Sequence, residues 1–374
     1  MIYTRTSIWL LYIAVLLQAH ITYANNKEEI TNNPSSLSLH IHTLSFIKNN
    51  EYFTPIVEGH TLAGYHIHPY IKYTASEGLT TSCGLFTHRN WAEPQLFSLI
   101  APTFRLQYKQ QATTFLIGDL RGDNFHRLIE PLYDIERSLI NGPETGLQIY
   151  YSSQHTFIDL WLHWLTLLNK TNNIPEELVV GLSFEQILGH ISAATIRIPF
   201  QLMLYHLGGQ GIAVKDFSLW VGAIGGCIDF QLSENSFFKN ISLNNYYITN
   251  RYIKKVARPF KTGYAFLSQL TFYNNWFTLQ SSYWNGYGFS SENLGHPLYQ
   301  SINITNKQVT YHDKHRHLIL LHLCFQHQLT SALKVALQIN PYYDIIHDML
   351  EHEAGLYITY SPRFNLNTPV ESYN

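Results

Sequence analysis

The sequence predicts an all-β chain: one antiparallel, up-and-down transmembrane β-barrel of about 16 strands (about 14–18), with a short helix in one long loop. Three observations carry that expectation. Apolar and polar residues alternate with period two over many segments. The gaps between those segments alternate long and short. Charged residues make up only 13% of the chain, while aromatics reach 14% with 26 Tyr; about 25% charged is usual for a soluble protein.

The alternation is clearest in four places. Ala194, Ile196, Ile198, Phe200, Leu202 and Leu204 oppose Thr195, Arg197, Gln201 and Tyr205. Ile100, Phe104, Leu106 and Tyr108 oppose Thr103, Arg105, Gln107 and Lys109. Leu333, Val335, Leu337 and Ile339 oppose Lys334 and Gln338, and Leu356, Ile358 and Tyr360 oppose Tyr357, Thr359 and Arg363. Successive strand residues point to opposite faces, so each segment has one apolar and one polar side.

Sixteen strands fit the pattern, near 38–48, 60–74, 78–88, 98–109, 112–121, 144–152, 155–167, 177–188, 192–206, 216–231, 237–250, 259–273, 275–288, 315–328, 332–341 and 353–365. Residues 49–59, 89–97, 122–143 and 289–314 are long gaps, while 75–77, 110–111 and 153–154 are tight turns. Short turns at one end and long loops at the other are the habit of outer-membrane barrels. A Greek-key sandwich has no reason to keep that order. An even strand count puts both termini on the periplasmic side. Trp161, Trp164, Trp276, Phe277, Trp284, Tyr342 and Tyr343 lie near strand ends, as an interfacial girdle would.

Residues 1–24 read as a Sec-type signal peptide, with Arg5, an apolar run from Ile8 to Leu17 and a small-x-small site ending at Ala24. Residues 25–37 are a polar lead-in expected to be disordered, and 38–374 a single barrel domain. The expected location is the bacterial outer membrane, with its lipid as a partner. Cys83, Cys227 and Cys324 are too few and too dispersed for a disulfide framework or a zinc site. A net charge of −2 gives no reason to expect nucleic acid.

Gly122–Pro143 stands apart. Leu128, Leu132, Ile135 and Leu139 fall on one helical face. Pro131 suits a helix start, and Asn141-Gly142-Pro143 a stop. The segment carries Arg127, Glu130, Asp134, Glu136 and Arg137. If it folds inward it forms a constriction loop against a lumen wall of Lys72, Arg105, Lys109, Arg197, Lys334 and Arg363, with Asp159, Glu185 and Asp229. Charges are costly towards lipid but tolerated in a water-filled lumen.

Twenty His invite a metal reading. The pairs His40/His42, His66/His68 and His315/His317 offer two ligands where a closed site needs four, so no metal and no cofactor is expected. No GxSxG or similar constellation marks a hydrolase, and the expectation is a protein without enzymatic activity.

The segments NNEYFTPIVEGHTLAGY (Asn49–Tyr65), HRLIEPLYDIER (His126–Arg137), GLQIYY (Gly146–Tyr151) and FIDLWLHW (Phe157–Trp164) resemble a family of porin-like outer-membrane β-barrels of Bacteroidota-type Gram-negative bacteria. The resemblance implies an outer-membrane barrel and no established activity. The expected function is therefore a porin-like channel for passive diffusion of small polar solutes. The alternatives are a surface adhesin or assembly scaffold using the long loops, and an outer-membrane hydrolase.

Overall fold

A computed structural model describes residues 35–210, 217–253, 257–303 and 311–367. The expected signal peptide and most of the 25–37 lead-in lie outside them; the strand structure begins at Ser36, inside that lead-in.

The first eight strands are β1 (Ser36–Glu51), β2 (His60–Thr74), β3 (Leu79–Asn90), β4 (Leu99–Gln110), β5 (Thr113–Asp119), β6 (Thr145–Ser152), β7 (Thr156–Thr166) and β8 (Glu176–Ile191). Then come β9 (Ala194–Gly208), β10 (Phe217–Gln231), β11 (Asn240–Tyr252), β12 (Thr262–Asn274), β13 (Phe277–Tyr287), β14 (His315–Gln328), β15 (Leu333–Asp344), β16 (Met349–Tyr360) and the short β17 (Arg363–Asn365). Each of β1 to β16 pairs antiparallel with its sequence neighbour, and β1 closes the ring on β16, from Thr43↔Tyr360 to Glu51↔His352. β17 continues the line of β16 alongside β1, so the wall is a closed barrel of sixteen strands.

Two boundaries differ from expectation. The last expected strand is interrupted at Ser361-Pro362, where proline offers no N–H to the ladder. The expected gap at 342–352 shrinks to 345–348, because Asp344 accepts the amides of Ile346 and His347 and closes a tight turn. The hairpin of β5 and β6 has strands of 7 and 8 residues, against 11 to 16 in the rest of the wall. It is the lowest point of the rim at the long-loop end.

Ile100, Phe104, Ile117, Phe200 and Leu337 are exposed on the outer face, while Thr103, Asp159, Gln201 and Met203 are buried on the inner one. The expected girdle therefore divides. Trp276 and Trp164 are exposed, but Trp161, Trp284 and Tyr342 are buried in the lumen. Their strand positions point inward, where they meet two long loops.

Those loops are 120–144 and 288–303, and they fold into the barrel. Leu120, Ile129, Leu132 and Tyr133 of the first pack with Phe289, Leu294, Leu298 and Tyr299 of the second, and with Met203, Leu219, Ile248, Leu267 and Leu318 of the wall. The hydrophobic core of the molecule is this plug. The helix expected in the first loop is short and covers only part of the segment that its apolar spacing marked. A single 3-10 turn spans Asp123–His126, and α1 is only Arg137–Ile140. Backbone donors go elsewhere instead: Ile129 N–H to Gln201 Oε1 at 3.1 Å, and Asp134 N–H to Leu294 O at 2.9 Å. Arg127 takes φ +54°, which ends the first turn before Pro131 can begin another.

Candidate functional site

Alternation along β1 turns Lys48 and Asn50 to the lumen, and both are buried there. They converge on Glu136, just before α1. Lys48 Nζ pairs with Glu136 Oε1, and Asn50 Nδ2 donates to the same oxygen at 2.7 Å. His60, the first residue of β2, shares its Nε2 with Glu136 Oε2 at 3.1 Å. From the other side of the seam, Glu353 of β16 accepts from Lys48 at 3.0 Å, from Asn340 at 3.0 Å and from the Tyr52 hydroxyl. His296 of the second loop places Nε2 3.7 Å from both carboxylates.

Burial pushes the Glu136 carboxyl up, but His296, His60 and Lys48 outweigh it and hold it well below the usual carboxylate range. Neighbouring Asp134 goes the other way: burial raises it, and the Glu136 charge adds to the rise. The side chain of Glu136 is 9% exposed and that of His60 is 44% exposed. His60 is therefore the part of the cluster that meets solvent, with Nδ1 turned to the Glu58 carbonyl at 3.3 Å. Both ring nitrogens thus have partners; an imidazole steered by a buried carboxylate, whose other nitrogen is held only by an exposed backbone carbonyl, has the form of a general base once that contact opens.

A second cluster anchors the plug. His126 donates Nδ1–H to Asp159 at 2.7 Å and Nε2–H to Glu144 at 2.8 Å. The remaining carboxylate oxygens accept from Gln148 and the Tyr133 hydroxyl. The His126 ring stacks on Trp161 with centroids 3.7 Å apart. Trp161 in turn lies over Gly181, where any Cβ would fall 2.0 Å from the indole. Burial lowers the His126 proton affinity, but the bonds to Asp159 and Glu144 dominate and raise its pKa to about 9. Both ring nitrogens are committed, so this histidine braces the loop and has no free face for substrate. The second loop is fixed by Arg316, fully buried, which pairs with Asp344 and donates to the Leu298 carbonyl at 3.0 Å.

The residues singled out in the sequence scatter among these clusters. Of the expected constriction set, Glu136 sits at the centre of the rim cluster. Glu130 accepts from Tyr299 at 2.6 Å. Asp134 accepts the Glu136 amide, and Arg127 reaches Glu185 at 3.0 Å over the Phe157 ring. Arg137 makes no ion pair among the described residues. Of the wall set, Asp159 holds His126, and Arg197 is closed by Glu185 and Asp229. Lys334 lines a lumen cavity of about 680 Å³ that also includes Glu136 and His296. Lys109 is exposed at the turn end. The loop carboxylates thus meet Lys48 and Tyr299, not the wall cations named from the sequence.

Asp134, Glu136 and His296 bring one donor atom each within 4.8 Å of one another. That is a set a divalent cation could use, although the Lys48 ammonium already lies against Glu136. Sequence reasoning missed Lys48, Asn50, His60, His296 and Glu353. Asn50 and His60 do lie inside the Asn49–Tyr65 segment that carries the porin-like resemblance.

Among solved structures the fold is similar to outer membrane protein OprD from Pseudomonas aeruginosa (10% identity, 91% of this chain and 96% of that one, TM-score 0.50). It is also similar to the loop L8 deletion mutant of OmpT from Vibrio cholerae (9% identity, 88% and 100%, TM-score 0.52). The resemblance to porin-like outer-membrane barrels therefore holds for the fold. Among curated proteins none matches the chain. A family model described as lipid A 3'-O-deacylase-type matches residues 29–369. This overturns the expectation of a protein without enzymatic activity, because the family is named for an enzyme. With a match over nearly its whole length, the chain belongs to the lipid A 3'-O-deacylase-type family.

Proposed function

We propose that the protein hydrolyses an acyl ester of a lipid A-type glycolipid at the long-loop end of an outer-membrane barrel, with His60 as general base. The observation that carries this reading is the half-exposed His60 held by the buried Glu136 carboxylate. With Nε2–H donated to Glu136 and Nδ1 released from the Glu58 carbonyl, neutral His60 takes a proton from water at Nδ1 as the water oxygen attacks the ester carbonyl. The tetrahedral intermediate then collapses, the sugar oxygen leaves and recovers that proton, and a free fatty acid and a sugar hydroxyl result. Glu136 orients the ring and offsets the positive charge that develops on it.

The surroundings support a lipid substrate. Phe53, Trp91, Leu96 and Ile140 are exposed apolar side chains on the loop-end segments. Residues 136–144 cross from β1 to the low β5–β6 hairpin, with Leu139 O accepting from His66 of β2 and Gly142 against Leu99 of β4. A lowered wall beneath an apolar strap suits acyl chains arriving from the bilayer. The test is mass spectrometry of lipid A incubated with the detergent-purified protein. Wild type should release fatty acid and His60→Gln should be slowed at least ~100-fold. No release by wild type, or full activity in His60→Gln, overturns the proposal.

The cavity of about 680 Å³ favours a second, channel-like reading, because its polar lining runs from the rim cluster down to Lys334 and Thr359 near the turn end. Passage of small polar solutes would then depend on movement of the plug.

A further inference from the structure

The basic wall read from the sequence divides into two unlike halves. On β8, β9 and β10 the cations are closed: Arg197 by Glu185 and Asp229, and Arg127 of the plug by Glu185. Lys48 of β1 is closed by Glu136 and Glu353, but on β2, β4 and β17, and at Arg121 just after β5, the cations are open. Among the described residues, no carboxylate oxygen lies within 4.0 Å of the side-chain nitrogens of Lys72, Arg105, Arg121 or Arg363.

Strand register gathers these open cations. Ser38, Lys72, Ser82 and Arg105 lie side by side across β1 to β4. The adjacent row holds Arg363, His40, Tyr70 and Gly84. Neighbouring strands are about 4.8 Å apart, so Lys72 of β2 and Arg105 of β4 flank Ser82 with their backbones about 10 Å apart, a gap that two long side chains and one small ligand span. The charges of Arg363, Arg121 and Arg105 all act on Lys72. Arg105 is fixed by neutral acceptors, donating Nε–H to Asp119 O and Nη2–H to Leu120 O at 2.6 Å each. Its position is set while its charge stays uncompensated.

Between the rows and the start of the plug lies a cavity of about 290 Å³, lined among others by His40, His42, His68, Ser82, Thr103 and Arg105. His42 Nδ1 is spent on Ser361 at 2.8 Å and His68 Nε2 on Thr103 at 3.0 Å, which leaves one ring nitrogen of each for a ligand. Asp119 is the acidic residue in the lining. Arg105 is the cation in the lining, and Lys72, Arg121 and Arg363 lie beyond it; against one carboxylate they leave an excess that a phosphoryl group, with a charge of about −1.5 to −2, would meet. The cavity lies at the small end of ligand sites. It also opens on the lumen face, away from lipid.

We propose that this turn-end vestibule binds a small, soluble, phosphate-bearing anion. Arg105 and Lys72 hold its oxygens, while His40 and His68 complete the shell. The site is separate from the His60–Glu136 cluster and does not depend on hydrolysis there. Isothermal titration of inorganic phosphate into the purified full chain in zwitterionic detergent at low salt tests it. Wild type should bind saturably. The double variant Lys72→Ala/Arg363→Ala should bind at least tenfold more weakly, while Lys239→Ala, next to β11 on the far wall, should retain wild-type affinity. Heat-dependent gel mobility checks folding of each, and if the double variant fails to fold, Lys72→Ala and Arg363→Ala singly carry the test. Absence of saturable binding in wild type overturns the assignment. So does equal affinity in the folded Lys72 and Arg363 variants, and so does an equal loss in Lys239→Ala.

Discussion

Raising the pH should loosen the plug before it touches the barrel, and His126 is the reason. Its imidazolium is fully buried between Asp159 and Glu144, with its pKa raised from 6.5 to about 9. Because the folded-state value lies above the unfolded one, the stabilisation is complete below pH 6.5 and is lost as pH climbs through about 9. At about 1.36 kcal/mol per pH unit this is about 3 kcal/mol, or ~300-fold in the local opening equilibrium. Hydrogen exchange over 126–140, corrected for the intrinsic pH dependence of exchange and compared at about pH 6 and about pH 9.5, reads it directly. Protection in wild type should fall by about two orders of magnitude. In His126→Gln it should be low at both values, with the strands unaffected. Equal protection of the wild-type loop at both values would refute the charged-bridge account, as would the same fall in His126→Gln.

Three further outcomes are expected. Lys48→Met strands the buried carboxylates of Glu136 and Glu353 and should destabilise by about 3–5 kcal/mol, seen as a lower urea midpoint; an unchanged midpoint would show that the pair is not load-sharing. At Gly295 a Cβ would sit 1.9 Å from the Pro131 carbonyl oxygen, so Gly295→Ala should separate the two loops and speed proteolysis between 128 and 140, whereas an unchanged cleavage rate would contradict the tight joint. Deleting 123–142 should leave heat-modifiable barrel mobility intact and raise single-channel conductance in a planar bilayer, and unchanged conductance would remove the channel reading.

The wall was legible in the sequence because its physics is local. Each strand needs only its own alternation to decide which residues face lipid, and Ile100, Phe104 and Leu337 fall on the expected side. The plug was half legible. The spacing of Leu128, Leu132, Ile135 and Leu139 correctly marked the apolar face, since Leu132 and Leu139 are buried and the other two pack against the core. The same spacing misled on conformation, because partners from Gln201 and Leu294 replaced the helical ladder. The rim cluster could not be read in that way. Lys48 and Glu353 come from opposite ends of the chain and meet only because β1 closes on β16, a long-range event that no short spacing encodes.

The loops that form the plug leave the rim after β5 and after β13, eight strands apart in a ring of sixteen. They start from opposite points of the circle and join near its middle, through His296 N–H to Glu130 O and Asp134 N–H to Leu294 O at 2.9 Å each. In mechanical terms the barrel is a hoop with a strut along its diameter. A free hoop under lateral bilayer pressure flattens easily along any axis. This one is stiffened along the axis of the strut, and the bonds of Glu136 to Lys48 of β1 and of Ile129 to Gln201 of β9 brace it across that axis as well, so the β1–β2 wall, where His60 stands, is held at a fixed distance from the opposite side.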